Sequence, residues 1–445
     1  MNHKSTHQRN GYNDGFNKGL HSGYRDGYER GRNKGIIQFS NAFEGTSIII
    51  PTYNQLPYLK ECIESILHYT DAPYELIIID NASDDGTAEF LKSSHGLRFQ
   101  INKDNLGFAG AVNQGLMMAK GTTLMILNND SVVTTKWLSN LLACLQSDAQ
   151  FGIVGPVTNY ISGDQLIHVS YQDTVEMQQF AKSYNQSNAD SWTVTERMTG
   201  FCMLMRREDF NRLGFFDEGF EIGNCEDDDY GLRARLLGMQ LVIAKDTFIH
   251  HYGSVSMKML NSRFEQVYAH NLTFYSSKWG DPHDMLSLKW LQNMNSSMKL
   301  RTIDMYPTCV FVRGVRSETY WIENGVRHLI HGAIGIQAIR VSQVDLRCWP
   351  LGDGISTEDA IGRMKTVYYV SSTGSWEQEG RLIKLENGSV YQYKGKKLQR
   401  FMNQLTVASW HLDSYEPLLV KEHEVQKYEE GAPIISPPVI RADNI

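Results

Sequence analysis

Long apolar runs are missing from this sequence. The longest, such as Ser47–Pro51 and Leu76–Ile79, are strand-sized, far short of the ~20 residues that a membrane-crossing helix needs. No N-terminal stretch joins a basic patch to an apolar run, so no secretory leader is expected. Excess positive charge is also lacking: 43 Lys and Arg stand against 50 Asp and Glu, a formal net charge of −7. That balance argues against a partner with a nucleic acid backbone. The six cysteines (Cys62, Cys144, Cys202, Cys225, Cys309, Cys348) include no Cys-x-x-Cys pair. Zinc and disulfide frameworks are spaced more tightly, so these read as reduced thiols of a cytoplasmic protein.

What is present suits packed domains: 41% hydrophobic and 21% charged residues, in a chain long enough for two or three domains. Residues 1–45 carry glycine at every fourth position from Gly11 to Gly35, often followed by an aromatic (Tyr12, Phe16, Tyr24, Tyr28). Each glycine costs a helix about 1 kcal/mol relative to alanine, which favours a polar tail. On a helix, the same period makes a Gly/Tyr stripe against which the segment of a second subunit could pack. Homo-oligomerisation through this repeat, or through the C-terminal region, is therefore an expectation.

Residues 46–298 alternate strand and helix patterns. Ser47–Ile50 and Glu75–Asp80 are β-branched runs of the kind buried in parallel sheets. Between them Leu59, Cys62, Ile63, Ile66 and Leu67 form one helical face. Strand Arg98–Ile101, a helix with Ala109, Val112, Leu116 and Ala119 inward, and strand Thr123–Leu127 follow. This order predicts an α/β fold with a doubly wound, mostly parallel sheet, whose ligand binds beyond the strand carboxyl ends. Residues 299–445 read as hairpins: Glu318–Gly325 with Val326–Ile330 about an Asn-Gly turn, then Leu385–Gly388, Val390–Tyr393 and Lys396–Phe401. We read them as two degenerate copies of one unit in a β-rich C-terminal domain, pairing Glu323-Asn324-Gly325 with Glu386-Asn387-Gly388.

Four strand tips in the first half gather polar residues: Pro51-Thr52-Tyr53-Asn54, then Asp80-Asn81, then Asn105 with Gly107 and Asn113, then Asn128-Asn129-Asp130. Any one of them could merely cap a helix; four in succession converge in space. Asp80 and Asn81 offer acceptors for a nucleoside, and Asp130 offers carboxylate oxygen to a hard cation beside a diphosphate. The small residues from Gly107 to Ala111 would let backbone approach a ligand.

The order PTYN, IIIDNASDDGT, NLGFAGAVNQG and LNNDS resembles the family 2 glycosyltransferases with the GT-A fold, over roughly half the chain. The NLGFAG segment is most similar to the rhamnosyltransferase-like branch. The resemblance implies that Asp80 binds the donor's base and that Asp130 closes a D-x-D-type metal motif, for Mn²⁺ or Mg²⁺. Here that motif keeps one carboxylate. The implied donor is a dTDP- or UDP-linked sugar, with the NLGFAG likeness leaning to dTDP-rhamnose.

Farther along, Met198–Met205 reads as a buried strand that opens at Gly200. It precedes the acidic run Glu226-Asp227-Asp228-Asp229, with Arg233 beyond. Four adjacent carboxylates repel, so some pKa values should rise, although an acidic helix start is the plain alternative. By resemblance to an E-D-x-D segment followed by Arg, Asp227 is the base that deprotonates an acceptor. Gly200, Glu226, Asp229 and Arg233 stand on the acceptor side. Of the pair His250-His251, the resemblance favours His251 as completing the metal site, with His250 the alternate. The implied reaction is an inverting single displacement onto a glycan or protein hydroxyl, as in polysaccharide biosynthesis, with Tyr160–Trp192 helping to read the acceptor. Two rival readings are a nucleotidyltransferase, which would need a basic Gly-rich loop where this sequence has PTYNQLP after the first strand, and a catalytically silent nucleotide-sugar-binding or scaffold protein.

Overall fold

A computed structural model describes residues 43–94, 96–253, 263–280, 299–369 and 375–442. The glycine repeat and Ser254–Ser256 lie outside these residues. The first domain is built from β1 (Phe43–Thr52), α1 (Leu56–Tyr69), β2 (Tyr74–Asp80), α2 (Thr87–Ser93), β3 (Arg98–Ile101), α3 (Gly107–Met118), β4 (Gly121–Leu127), β5 (Ser131–Val132), α4 (Trp137–Ser147) and β6 (Phe151–Val157). It continues with α5 (Thr174–Tyr184), β7 (Trp192–Thr195), β8 (Cys202–Arg206), α6 (Arg207–Leu213), α7 (Glu226–Leu236), β9 (Gln240–Phe248), β10 (His250–His251) and α8 (Arg263–Trp279).

Eight of these strands make one sheet in the order β3-β2-β1-β4-β8-β6-β9-β7. β3, β2, β1 and β4 run parallel, while β8 lies antiparallel between β4 and β6. The β-branched runs are buried on both faces. Ile48 and Ile50 pack with Leu59, Cys62 and Ile66 of α1, and Ile49 faces Val112 and Leu116 of α3. Such two-sided burial is what a parallel sheet between helix layers demands. A Cβ on Gly115 would stand 2.2 Å from Ile49 Cγ2, so α3 approaches β1 as closely as only glycine permits. The segment Tyr160–Trp192 contains α5, whose start is capped by Asp173 accepting from Val175 N and Glu176 N.

β5 and β10 form a separate antiparallel pair, with His251 opposite Ser131 and His250 opposite Val132. This small ribbon carries the two histidines to the tip of β4.

The C-terminal region holds two sheets, β14-β11-β12-β13-β15 and β18-β17-β16-β19. They comprise β11 (Val310–Arg313), β12 (Thr319–Glu323), β13 (Val326–His331), β14 (Ile339–Arg340), β15 (Ile355–Ser356), β16 (Leu382–Leu385), β17 (Val390–Lys394), β18 (Lys397–Arg400) and β19 (Leu418–Val420). One pairing scheme occurs twice. Parallel Val312↔Ile339 recurs as Ile383↔Leu418, Arg327↔Leu351 as Leu398↔Glu430, and Ile330↔Ile355 corresponds to Phe401↔Ile434. The equivalent two-residue turns are Asn324-Gly325 and Gly395-Lys396, all four residues left-handed, as a type I′ hairpin requires. The register expected from sequence is therefore corrected. The turn at Asn387-Gly388 joins β16 to β17 and corresponds to the β11–β12 connection, so the shared Glu-Asn-Gly misaligned the copies. This region packs onto the first domain: Met305, Tyr306, Trp321 and Trp410 belong to the same apolar core as α3 and β8.

Candidate active site

A cleft of about 1240 Å³ opens over the carboxyl ends of β1, β2 and β4. One wall is the strand tips of β1, β2 and β4; the other is the start of α7 and one side of α8. Pro51, Tyr53, Asn54, Asn81, Asn105, Gly107, Asn129, Asp130, Gly200, Glu226, Asp227 and His251 all line it.

The backbone after β1 is strained, with Asn54 and Gln55 both left-handed (φ 55° and 73°), and non-glycine residues in that region mark constrained sites. Asn54 is pinned by Ser83 Oγ, which accepts its N–H (2.7 Å), while its own Oδ1 accepts from Asp84 N (2.9 Å). Tyr53 is left 39% exposed at the cleft edge. Asp80 lies just behind these residues, fully buried. Its Oδ1 accepts from Ser83 N (3.1 Å) and its Oδ2 has no partner. A buried carboxylate oxygen without a donor is costly, and suits a ligand N–H.

Asn81 departs from the expectation of an acceptor for a nucleoside. Its amide donates to Asn105 Oδ1 (2.8 Å) and Gly107 O (3.0 Å) and accepts from Asn102 Nδ2 (3.1 Å) and Leu106 N (2.9 Å). All four bonding positions are spent on shaping the Asn102–Gly107 loop. Asn113, by contrast, does not line the cleft. It is buried on α3, where it holds Phe216 N and O and donates to Glu218 Oε1 (2.9 Å). Gly107 is left-handed (φ 74°), and a Cβ there would meet the Ile222 backbone at 3.2 Å. The close approach that its small size permits is thus to another loop of the protein.

At the tip of β4, Asn129 donates to Thr52 Oγ1 (2.9 Å). Asp130 Oδ1 stands 3.1 Å from His251 Nε2. The other ring nitrogen, Nδ1, lies 2.8 Å from the carbonyl oxygen of Tyr160. A carbonyl only accepts, so Nδ1 carries a proton, and Nε2 is the nitrogen turned toward the Asp130 carboxylate. Two acceptors so placed need a shared cation between them, either a proton or a metal ion. One carboxylate and one imidazole fit a divalent ion that takes its remaining ligands from phosphate and water. Among the described residues no set of three His, Cys, Asp or Glu side chains could form a closed protein metal cage. The alternate, His250, is corrected: it is bonded to Tyr171 OH (2.6 Å), outside the cleft, and burial depresses its pKa to about 4.

The acidic run opens α7, and its four carboxylates have four environments. Glu226 is buried with Oε2 unpartnered; burial and the charge of Asp227 push its pKa well up. Asp227 receives Gly200 N at Oδ2 (2.9 Å) and Asp228 N at Oδ1 (2.9 Å), and burial together with Asp228 raises its pKa to about 6. Asp228 forms a two-pronged pair with Arg197 (2.6 and 3.3 Å). Asp229 is fully buried. Burial opposes its ionisation, but Lys278 (2.5 Å) and Arg233 (2.9 Å) outweigh that and hold its pKa low. Asp229 and Arg233 therefore do not face an acceptor, contrary to expectation; they fix α7 to α8 inside the core.

Residues without a sequence motif complete the cleft. Arg197, Phe108 and Tyr160 line it, as do Tyr268, Leu272 and Tyr275 of α8. Asn271, buried on α8, donates to the main-chain oxygens of Glu221, Gly223 and Asn224 and accepts from Glu221 N (2.9 Å). It holds a loop in which Ile222, Asn224 and Cys225 are all left-handed.

A parallel half-sheet with its cleft at the strand tips, a carboxylate and an imidazole over β4, and an acidic run opposite make up an α/β domain of GT-A type. Residues 47–214 match the model of Glycosyl transferase family 2, and this matched part of the α/β domain is that of a nucleotide-sugar-dependent glycosyltransferase. Glycosyltransferase GlyG of Streptococcus pneumoniae is 26% identical over 52% of this chain and 78% of its own length. Glycosyltransferase GlyA of the same organism is 24% identical over 41% of this chain, which spans only 27% of GlyA. Among solved structures, the mannosyltransferase PcManGT from Pyrobaculum calidifontis, in complex with GDP-Man and Mn²⁺, aligns with 47% of this chain and 58% of its own. That alignment has 21% identity and a TM-score of 0.35. Among the described residues no helix is long and apolar enough to cross a membrane.

Proposed function

We propose that the protein transfers a sugar from a nucleoside diphosphate donor to a hydroxyl acceptor by single displacement, with Asp227 as general base and inversion at the anomeric carbon. One observation carries the reading: of four consecutive carboxylates, Asp228 and Asp229 are paired with cations and Glu226 is buried with its pKa pushed well up, which leaves Asp227 to take a proton. A base with a pKa near the working pH combines availability with driving force. Gly200 N and Asp228 N hold its carboxylate in one orientation, so the acceptor hydroxyl is deprotonated at a fixed point in the cleft. The neighbouring carboxylates are spoken for, which supports direct attack by the acceptor rather than by an enzyme nucleophile.

On the donor side, Asp80 Oδ2 accepts an N–H of the base and Tyr53 lies against the nucleoside. Asp130 and His251 hold a divalent ion, Mn²⁺ or Mg²⁺, which when bound neutralises charge on the leaving diphosphate. Asn129 and Asn105 line the same cleft. The donor is proposed to be UDP- or dTDP-linked, and the acceptor a glycan or a protein side chain.

Calorimetric titration with UDP, dTDP and GDP, each with and without Mn²⁺ or Mg²⁺, tests the donor site: one nucleotide should bind tightly only with metal. Proton NMR of the first-formed product then tests inversion. A folded protein that binds none of the three would point to the scaffold alternative.

A further inference from the structure

The last described residues return from the C-terminal sheets to the first domain, against the loop between α6 and α7. Glu218 N donates to Val439 O (2.8 Å), and Val439 N donates to Asp217 Oδ1 (3.0 Å). Glu218 Oε2 accepts from Arg441 N (2.6 Å) and Ala442 N (3.0 Å). Both carboxylates are buried, and each reaches a different wall of the cleft. Glu218 Oε1 accepts from Asn113 of α3, the helix that opens with Gly107 and Phe108 at the cleft. Asp217 Oδ2 pairs with Lys278 (2.6 Å), and Lys278 also binds Asp229 of α7, two residues beyond Asp227. The walls touch where Phe108 N donates to Ile222 O, in the loop with three left-handed residues.

We propose that residues 439–442 form a strap whose main-chain N–H groups, acting through Asp217 and Glu218, set the spacing between the α3 wall and the Asp227 wall. Buried carboxylates must keep their donors or move toward others. Without the strap, Glu218 Oε2 loses both of its tail donors and Asp217 one. Asn113 and Lys278 shift with them, and the left-handed loop has less to hold it in its costly conformation. Asp217 and Glu218 are positioning residues; neither lines the cleft. The inference deepens the reading of Asp227 as base and rests on it for its kinetic consequence alone.

The test is a full-length Val439→Pro/Arg441→Pro double variant, which removes two N–H donors, against Val439→Ala/Arg441→Ala, which keeps them. Val439 is 38% exposed and Arg441 is exposed, so the alanine pair should behave as the parent. In the proline pair, amide hydrogen exchange should quicken by about tenfold or more in 107–113 and 219–229 while β1 and β4 hold. With whichever of UDP-, dTDP- or GDP-linked sugar is turned over, kcat should fall by roughly 10–100-fold with KM for the donor unchanged. Unaltered exchange at both walls, uniform quickening through the chain, or an unchanged kcat would each overturn the strap. Separately, Asp227→Asn retaining full turnover would sink the base assignment and leave the exchange result standing.

Discussion

Gly200 and Asp227 meet through one hydrogen bond, from Gly200 N to Asp227 Oδ2 at 2.9 Å, and a Cβ added to Gly200 would stand 3.3 Å from the Cβ of Asp227. Glycine here lets the turn before β8 come close enough to hold the carboxylate. Gly200→Ala should therefore push Asp227 off its position, lowering kcat by about 10–100-fold while nucleotide affinity stays within a factor of two or so. Asp227→Asn, which keeps the shape and removes the basicity, should cost roughly 10²–10⁴-fold in kcat. Steady-state kinetics beside calorimetry separates the two effects; loss of nucleotide binding in either variant would reject the assignment.

Activity should be lost on the acid side. Asp227 titrates near 6, raised first by burial and then by Asp228, and it must be ionised to act. Thus kcat/KM should rise with pH through about 6 and then level off. The Arg197 charge lowers that pKa, so Arg197→Met should move the midpoint to higher pH. His250, depressed to about 4, stays neutral across this range and adds no limb of its own. A midpoint that ignores Arg197→Met would count against Asp227 as the titrating group.

Asp130→Asn and His251→Ala should each weaken nucleotide binding in the presence of Mn²⁺ and leave the much weaker metal-free binding as it was. Titration with and without Mn²⁺ reads this directly. If metal still strengthens binding by the parental factor in both variants, the pair at 3.1 Å is a simple ion pair.

Asn271→Ala removes four bonds from the Glu221–Asn224 loop. Leaving buried main-chain groups without partners should lower stability by about 2–4 kcal/mol, seen as an earlier denaturant midpoint. The larger effect should be on turnover, because the freed loop carries the left-handed Ile222 and Cys225 next to the acidic run.

Much of this architecture was legible in the sequence because alternating burial leaves a period. Strands such as Arg98–Ile101 have the bounds read from their pattern, and the polar strand tips converge because parallel strands share one end. What escaped was what periodicity does not encode. Asn81, Asn113 and Asp229 are polar residues inside motifs, yet their side chains serve loops and helices rather than ligands. Nothing in their spacing separates an amide that binds a ligand from one that binds its own backbone. Lys278 and Asn271 belong to no motif, and only the tertiary fold brings them under α7 and its preceding loop. The duplicated hairpins were visible in outline. Their alignment slipped because Glu-Asn-Gly serves equally well in two different turns, whereas strand pairing fixes a single register.

The return of residues 439–442 to Asp217 and Glu218 bears on how such a chain can be recombined. Domain exchange by cutting at a linker presumes that each piece carries everything its own fold needs. Here the first 298 residues do not: two of their buried carboxylates are answered by backbone from the opposite end of the sequence. A chimera that moves the transferase half alone would inherit the motifs and lose that closure. Any lineage that swapped this half between enzymes would have to carry the terminal segment with it or find new partners for both carboxylates.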